Sequence, residues 1–248
     1  LDAGGGDIWV LDLERGTRER FTFDASQDNS SPVWSRDGSR IGFASRRDGA
    51  WGLYQKPSSG TGPEGLLFQS STPKAPLSYS PDGQLLLFQN VDPKTRGDLW
   101  VLPLTAERKP VPYLQSPFGE SGGQISPDGS WVAYVSNESG RSEVYVQGLS
   151  NRAAKWQVST GSGVAPRWSH DGKELFFLFD NPGRVFAVRV EPAAGGLRFG
   201  VPKALFEYGF RNPGHTTPFF LHAVSGDGER SFLTHTSAAT DAAEVPLT

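Results

Sequence analysis

Ser80-Pro81-Asp82-Gly83, with the apolar run at 85–88 that follows it, is the stretch that decides how this chain folds. Aspartate accepts backbone hydrogen bonds in a tight turn, and glycine takes the positive φ that the reversal needs. The phrase recurs as Ser35-Arg36-Asp37-Gly38, Ser126-Pro127-Asp128-Gly129, Ser169-His170-Asp171-Gly172 and Ser225-Gly226-Asp227-Gly228, with Asp-to-Asp steps of 45, 46, 43 and 56 residues. A second phrase keeps the same beat: Asp7-Ile8-Trp9-Val10, Gly52-Leu53-Tyr54-Gln55, Asp98-Leu99-Trp100-Val101, Glu143-Val144-Tyr145-Val146 and Arg184-Val185-Phe186-Ala187. Two independent phrases sharing a period of about 45 residues predict an all-β chain, a β-propeller of four-stranded blades.

Residues 31–69 hold one complete blade. Strands are expected at 32–35, 40–45, 52–55 and 66–69, with the turn at Asp37-Gly38, a loop at 46–49 and a break from Pro57 to Gly65. The next copies place second strands at 85–88, 131–135 and 175–179, and fourth strands at 111–114, 156–159 and 204–207. The last copy has only its first two, at 219–225 and 230–236. Residues 7–13 and 20–23 read as a third and a fourth strand. Pairing the two ends in one blade closes a ring of five and hides both sheet edges. A six-bladed ring, or an open fragment in which 244–247 completes the last blade, is the alternative. Either way, residues 1–248 form a single propeller domain.

Composition agrees. The hydrophobic fraction is only 36%, but 7 Trp, 6 Tyr and 16 Phe can fill the layers between thin blades. A net charge of −3 implies no nucleic-acid partner. With no cysteine, disulfides and thiolate metal sites are excluded. No apolar run suits a membrane span, so membrane insertion by this chain is not expected. The absence of any methionine reads as excision from a longer protein, and a monomer is expected.

The repeated phrases resemble the WD-type repeats of TolB-like propellers, in which Ser-Pro-Asp-Gly precedes an apolar strand. Arg36, His170 and Gly226 depart from the pattern by replacing its proline. The order of phrases also resembles the C-terminal propellers of bacterial receptor-type serine/threonine kinases, as in Asp7-Ile8-Trp9-Val10-Leu11-Asp12-Leu13 and Pro127-Asp128-Gly129-Ser130-Trp131-Val132-Ala133-Tyr134-Val135-Ser136. That resemblance implies a sensing or docking module, an extracytoplasmic (periplasmic) location and a kinase domain elsewhere. No Gly-rich phosphate loop, His-Arg-Asp or Asp-Phe-Gly phrase occurs in these residues.

Catalytic readings fail on context. Gly119-Glu120-Ser121-Gly122-Gly123 matches a nucleophile elbow, but nothing helical follows it, and a flexible inter-blade loop is expected instead. Ser169-His170-Asp171 is the fourth repeat copy, and adjacent residues cannot make in-line triad contacts. His215, His222 and His235 match no metal-ligand spacing. Asp37, Asp82, Asp128, Asp171 and Asp227 sit a blade apart and are expected to be structural turn residues rather than calcium ligands. No catalytic residue, metal or cofactor is therefore assigned.

The candidate binding surface is the face that carries the inter-blade links and the loops joining strands two and three, where Arg47, Arg96, Arg141, Arg167 and Arg184 gather. Arg167 precedes Trp168 on a first strand and should point to the channel if Trp168 packs between blades. The expected function is a non-catalytic module docking a protein, peptide or small ligand on that face. A propeller glycosidase is the first alternative, but the first-strand channel positions Val33, Ser78, Gln124, Arg167 and Ala223 offer no carboxylate pair. The gating propeller of an α/β-hydrolase peptidase is the second.

Overall fold

A computed structural model describes residues 6–23, 28–105, 107–180, 183–207, 222–224 and 231–233. Every element in them is a β-strand. Among the described residues, four successive four-stranded antiparallel meanders form complete blades. Blade one is β3 (Asp28–Trp34), β4 (Arg40–Arg47), β5 (Ala50–Pro57) and β6 (Gly65–Ser70). Blade two is β7 (Lys74–Tyr79), β8 (Leu85–Asp92), β9 (Arg96–Pro103) and β10 (Val111–Leu114). Blade three is β11 (Glu120–Ile125), β12 (Trp131–Ser136), β13 (Glu143–Gly148) and β14 (Lys155–Gln157). Blade four is β15 (Gly163–Trp168), β16 (Glu174–Asp180), β17 (Gly183–Ala193) and β19 (Lys203–Glu207).

The lengthened last repeat has a physical cause that the sequence reading missed. Strand β17 runs on past its blade and folds back as β18 (Gly196–Phe199), with Val190 opposite Phe199 and Ala193 opposite Gly196. Phe199 at its end packs on Trp156 of blade three, ring centroids 6.0 Å apart.

At the termini lie two hairpins, β1 (Trp9–Asp12) with β2 (Thr17–Arg20), and β20 (His222–Val224) with β21 (Ser231–Leu233). Strand β2 starts three residues earlier than expected. The two hairpins are separate sheets, and the expected pairing of N- and C-terminal strands is not among the registers of the described residues. Asp227, His215, His235 and residues 244–247 lie outside the described residues.

Among the described residues the core is a stack of four apolar layers, each between consecutive sheets. Ile8 and Phe21 meet Ile41, Phe43 and Tyr54 between the N-terminal hairpin and blade one. Leu53 and Leu67 meet Leu86, Phe88 and Leu102 between blades one and two. Leu87 and Leu99 meet Val132 and Tyr134 between two and three. Val144 and Val146 meet Trp168, Leu175 and Phe177 between three and four. Alternation within each strand sends successive side chains to opposite layers, so every blade is apolar on both faces.

The first strand of each of these four blades carries a bulge at the same place, between Ser30 and Val33, Pro76 and Ser78, Ser121 and Gln124, and Val164 and Arg167. This corrects the reading of residues 119–123 as a flexible loop. Ser121 lies within β11, and Gly122 holds the bulge at φ 63°.

Candidate binding site on the turn face

Each Ser-x-Asp-Gly turn is built alike. In blade two the Ser80 hydroxyl donates to Asp82 Oδ1, the Gln84 amide donates to the same oxygen at 3.0 Å, and the Leu85 amide donates to Ser80 Oγ at 2.9 Å. Gly83 supplies φ 68°. The set recurs around Asp37, Asp128 and Asp171. These bonds favour the charged carboxylate and hold Asp37 and Asp171 down at about 2. Ser169 therefore serves the turn, and exposed His170 contributes its carbonyl to Arg36 at 3.1 Å.

Two concavities open on this face. One, of about 260 Å³, lies between the turns of blades one and two, against Arg36, Asp37, Arg40, Gln55, Tyr79 and Asp82. Its neighbour, of about 230 Å³, sits over the ends of three first strands and is lined by Trp34, Arg36, Ser78, Tyr79, Pro81, Gln124 and Pro127. Tyr79 belongs to both. It is 7% exposed, and its hydroxyl has no hydrogen-bond partner. Burial pushes that phenol up to about 12, so it is a donor at neutral pH. Gly42 makes room for it, since a Cβ there would lie 2.5 Å from the hydroxyl. The Gln55 carbonyl oxygen is likewise buried and without a partner. Trp34 is 53% exposed, and the Arg36 and Arg40 guanidinium groups are exposed beside it. An unused donor, an unused acceptor, two cations and an aromatic plate thus share one face. Sequence reasoning missed this group because each member looks like ordinary strand or turn composition.

Most of the arginines expected on the loop face are held by the protein itself. Arg47 turns back along its own blade, with its guanidinium 3.9 Å from the Tyr54 ring and ion-paired to Glu64. Arg141 pairs with Glu143 at 2.9 Å, and Arg184 with Glu207 at 2.8 Å. Arg96 is exposed, in the left-handed region at φ 71°. Trp168 does pack between blades three and four. Arg167, on the other side of β15, is buried and donates to Pro166 O at 2.6 Å, and burial lowers it to about 9.

Val33 joins the apolar layer with blade two. Ser78 Oγ accepts the Ile125 amide at 3.2 Å, and Gln124 Oε1 accepts the Trp168 amide at 2.6 Å. These two polar side chains therefore tie neighbouring first strands together. For Ala223 and His222 only the backbone is described.

No protein-family model matches the sequence, and no curated protein matches it. Solved structures do. A putative TolB from Agrobacterium tumefaciens is 18% identical, with 82% of this chain and 74% of that one aligned at a TM-score of 0.68. The fold is that of a TolB-like β-propeller. An oligogalacturonate lyase from Vibrio parahaemolyticus matches at 13% identity over 92% of this chain and 68% of that one, TM-score 0.63. A Mycobacterium tuberculosis puromycin-hydrolyzing peptidase matches at 19% over 91% and 39%, TM-score 0.62. At such identities the likeness is one of fold, and propellers host unrelated functions.

Proposed function

We propose that this TolB-like propeller is a non-catalytic binding module whose ligand, a short peptide segment or small polar molecule bearing a carboxylate, seats on the turn face. The observation that carries the reading is the pair of buried, unpartnered groups, Tyr79 hydroxyl and Gln55 oxygen, on the wall of a cavity rimmed by Arg36 and Arg40. A buried polar group without a partner costs free energy that a ligand can recover. The loop face is the less favoured surface, because Arg47, Arg141 and Arg184 already have carboxylate partners. A sensing role within a longer, extracytoplasmic receptor belongs to the same proposal and rests on the resemblance of its phrases to receptor-kinase propellers. The enzyme readings gain no support from the motifs, since Ser121 is a strand residue and Ser169 is bound into a turn.

The test is selection of peptides on the immobilised chain, followed by Kd measurement for the selected peptides. Arg36→Ala and Tyr79→Phe should each weaken binding about tenfold, on the order of 1.4 kcal/mol, while Arg96→Ala leaves it unchanged. Losses confined to Arg96→Ala would return the ligand to the loop face.

A further inference from the structure

Between complete blades, the end of the third strand nearest the loop face meets the start of the next blade's first strand at three junctions that are equivalent by register, and the N-terminal hairpin makes a fourth against blade one. Gly52 opposes Ser45 as Asp98 opposes Asn90 and Glu143 opposes Ser136. Lys74, Glu120 and Gly163 begin the following first strands. Three junctions are electrically complete. At the first, Asp7 pairs with Arg20 at 2.7 Å and accepts from Thr22. At the next, the buried Lys74 ammonium fills the space itself, donating to Trp51 O, Ser70 Oγ and Thr72 O. At the last, Glu143 takes the Ser159 hydroxyl, the amides of Gly161, Ser162 and Gly163, and Arg141.

The junction between blades two and three is different. Two acids meet there, Asp98 at 0% exposure and Glu120 at 3%. The linker amides that would correspond to those around Glu143 are turned elsewhere, Phe118 N to Ser116 Oγ and Gly119 N to Asn137 Oδ1. Asp98 Oδ2 accepts from Thr95 and Gln115, and Glu120 Oε1 from Ser116. Asp98 Oδ1 and Glu120 Oε2 have no partner. A third orphan lies against the Glu120 backbone. Gln89 is 6% exposed, its Nε2 donates to Glu120 O at 3.2 Å, and its Oε1 is unpartnered. Gly97 leaves room for that carboxamide, since a Cβ there would lie 2.3 Å from Nε2. The cation nearest in effect, Lys155, is engaged by Glu138. Desolvation raises both carboxyls, the Asp98 charge raises Glu120 further, and Asp92 raises Asp98.

We propose that this junction binds one hard divalent cation, calcium in class, with Asp98, Glu120 and the Gln89 carbonyl as its protein oxygens, where the preceding junction uses the Lys74 ammonium. The donors are all oxygen and include a neutral amide, which suits calcium's adaptable shell completed by backbone carbonyls and water. No group of three or more His, Asp or Glu side chains forms a metal site among the described residues. With two acids and one amide, the junction escapes a motif that counts acids and imidazoles alone.

The experiment is thermal unfolding of the chain stripped with EDTA, then titrated with CaCl2, MgCl2 or MnCl2 at pH 7.5, together with an ion count after dialysis. Saturating calcium should raise Tm by about 5 °C, with one ion per chain. Glu120→Gln should abolish the shift. Glu120→Lys supplies the ammonium found one junction earlier, and should fold without added metal and ignore calcium. No shift and no bound ion with any of the three metals would overturn the proposal and leave the two acids sharing a proton. A shift that survives in both variants would overturn it too, because the ion would then lie elsewhere.

Discussion

At the scale of single residues, the repeated serine and aspartate act as a unit that closes each turn. Asp82 Oδ1 holds the Ser80 hydroxyl and the Gln84 amide, and Ser80 Oγ in turn holds the Leu85 amide at the start of β8. Asp82→Ala removes the shared acceptor and should cost about 1 kcal/mol, read as a lower urea midpoint with unchanged slope. A loss within error would mean the turn is maintained by Gly83 and chain connectivity alone. The turn role was legible in the sequence because all its partners lie within five residues. Tyr79, Gln55 and the Asp98–Glu120 pair were not, because their meaning comes from what other blades place beside them. In the sequence Glu120 stands inside a Gly-x-Ser-x-Gly phrase that forms no nucleophile elbow. Its burial against Asp98 depends on how one blade seats on the next.

At the scale of elements, the meander of four strands was visible in its period, whereas the first-strand bulge was not. Ser31, Gly122 and Ala165 occupy equivalent bulge positions at φ 53°, 63° and 51°. Only one of the three is glycine, so the sequence pattern does not announce the bulge. An L side chain in this region carries strain that glycine avoids. A Cβ at Gly122 would find only ordinary contacts, with Val135 Cγ2 at 3.7 Å the nearest. Gly122→Ala should therefore destabilise through φ alone, by about 1 kcal/mol, and Ala165→Gly should stabilise by about 0.5 kcal/mol. Chemical denaturation of both variants checks the pair, and shifts of the same sign would show that packing rather than backbone conformation governs the bulge. The β17–β18 extension escaped the sequence reading for a related reason: its pairing continues a strand already assigned, and only the docking of Phe199 on Trp156 gives the hairpin a place.

At the scale of the whole molecule, the N-terminal hairpin is part of the core although it belongs to none of the four complete blades. Ile8 and Phe21 cover Phe43 and Tyr54, and Lys56 donates to Phe21 O at 3.0 Å. Deleting residues 1–23 would expose that layer and the face of blade one. The expected result is a lower Tm by calorimetry or circular dichroism, and an unchanged Tm would show that the hairpin neither closes a ring nor supports its neighbour. The sequence by itself determined the all-β class, the blade period and the turn chemistry, because strand alternation and tight turns are set by interactions a few residues apart. Tertiary structure alone decided which face holds the cavities, which arginines are already paired and where two acids are buried together. Those properties depend on contacts between residues tens of positions apart, whose burial and charge balance are fixed only when one blade packs on another.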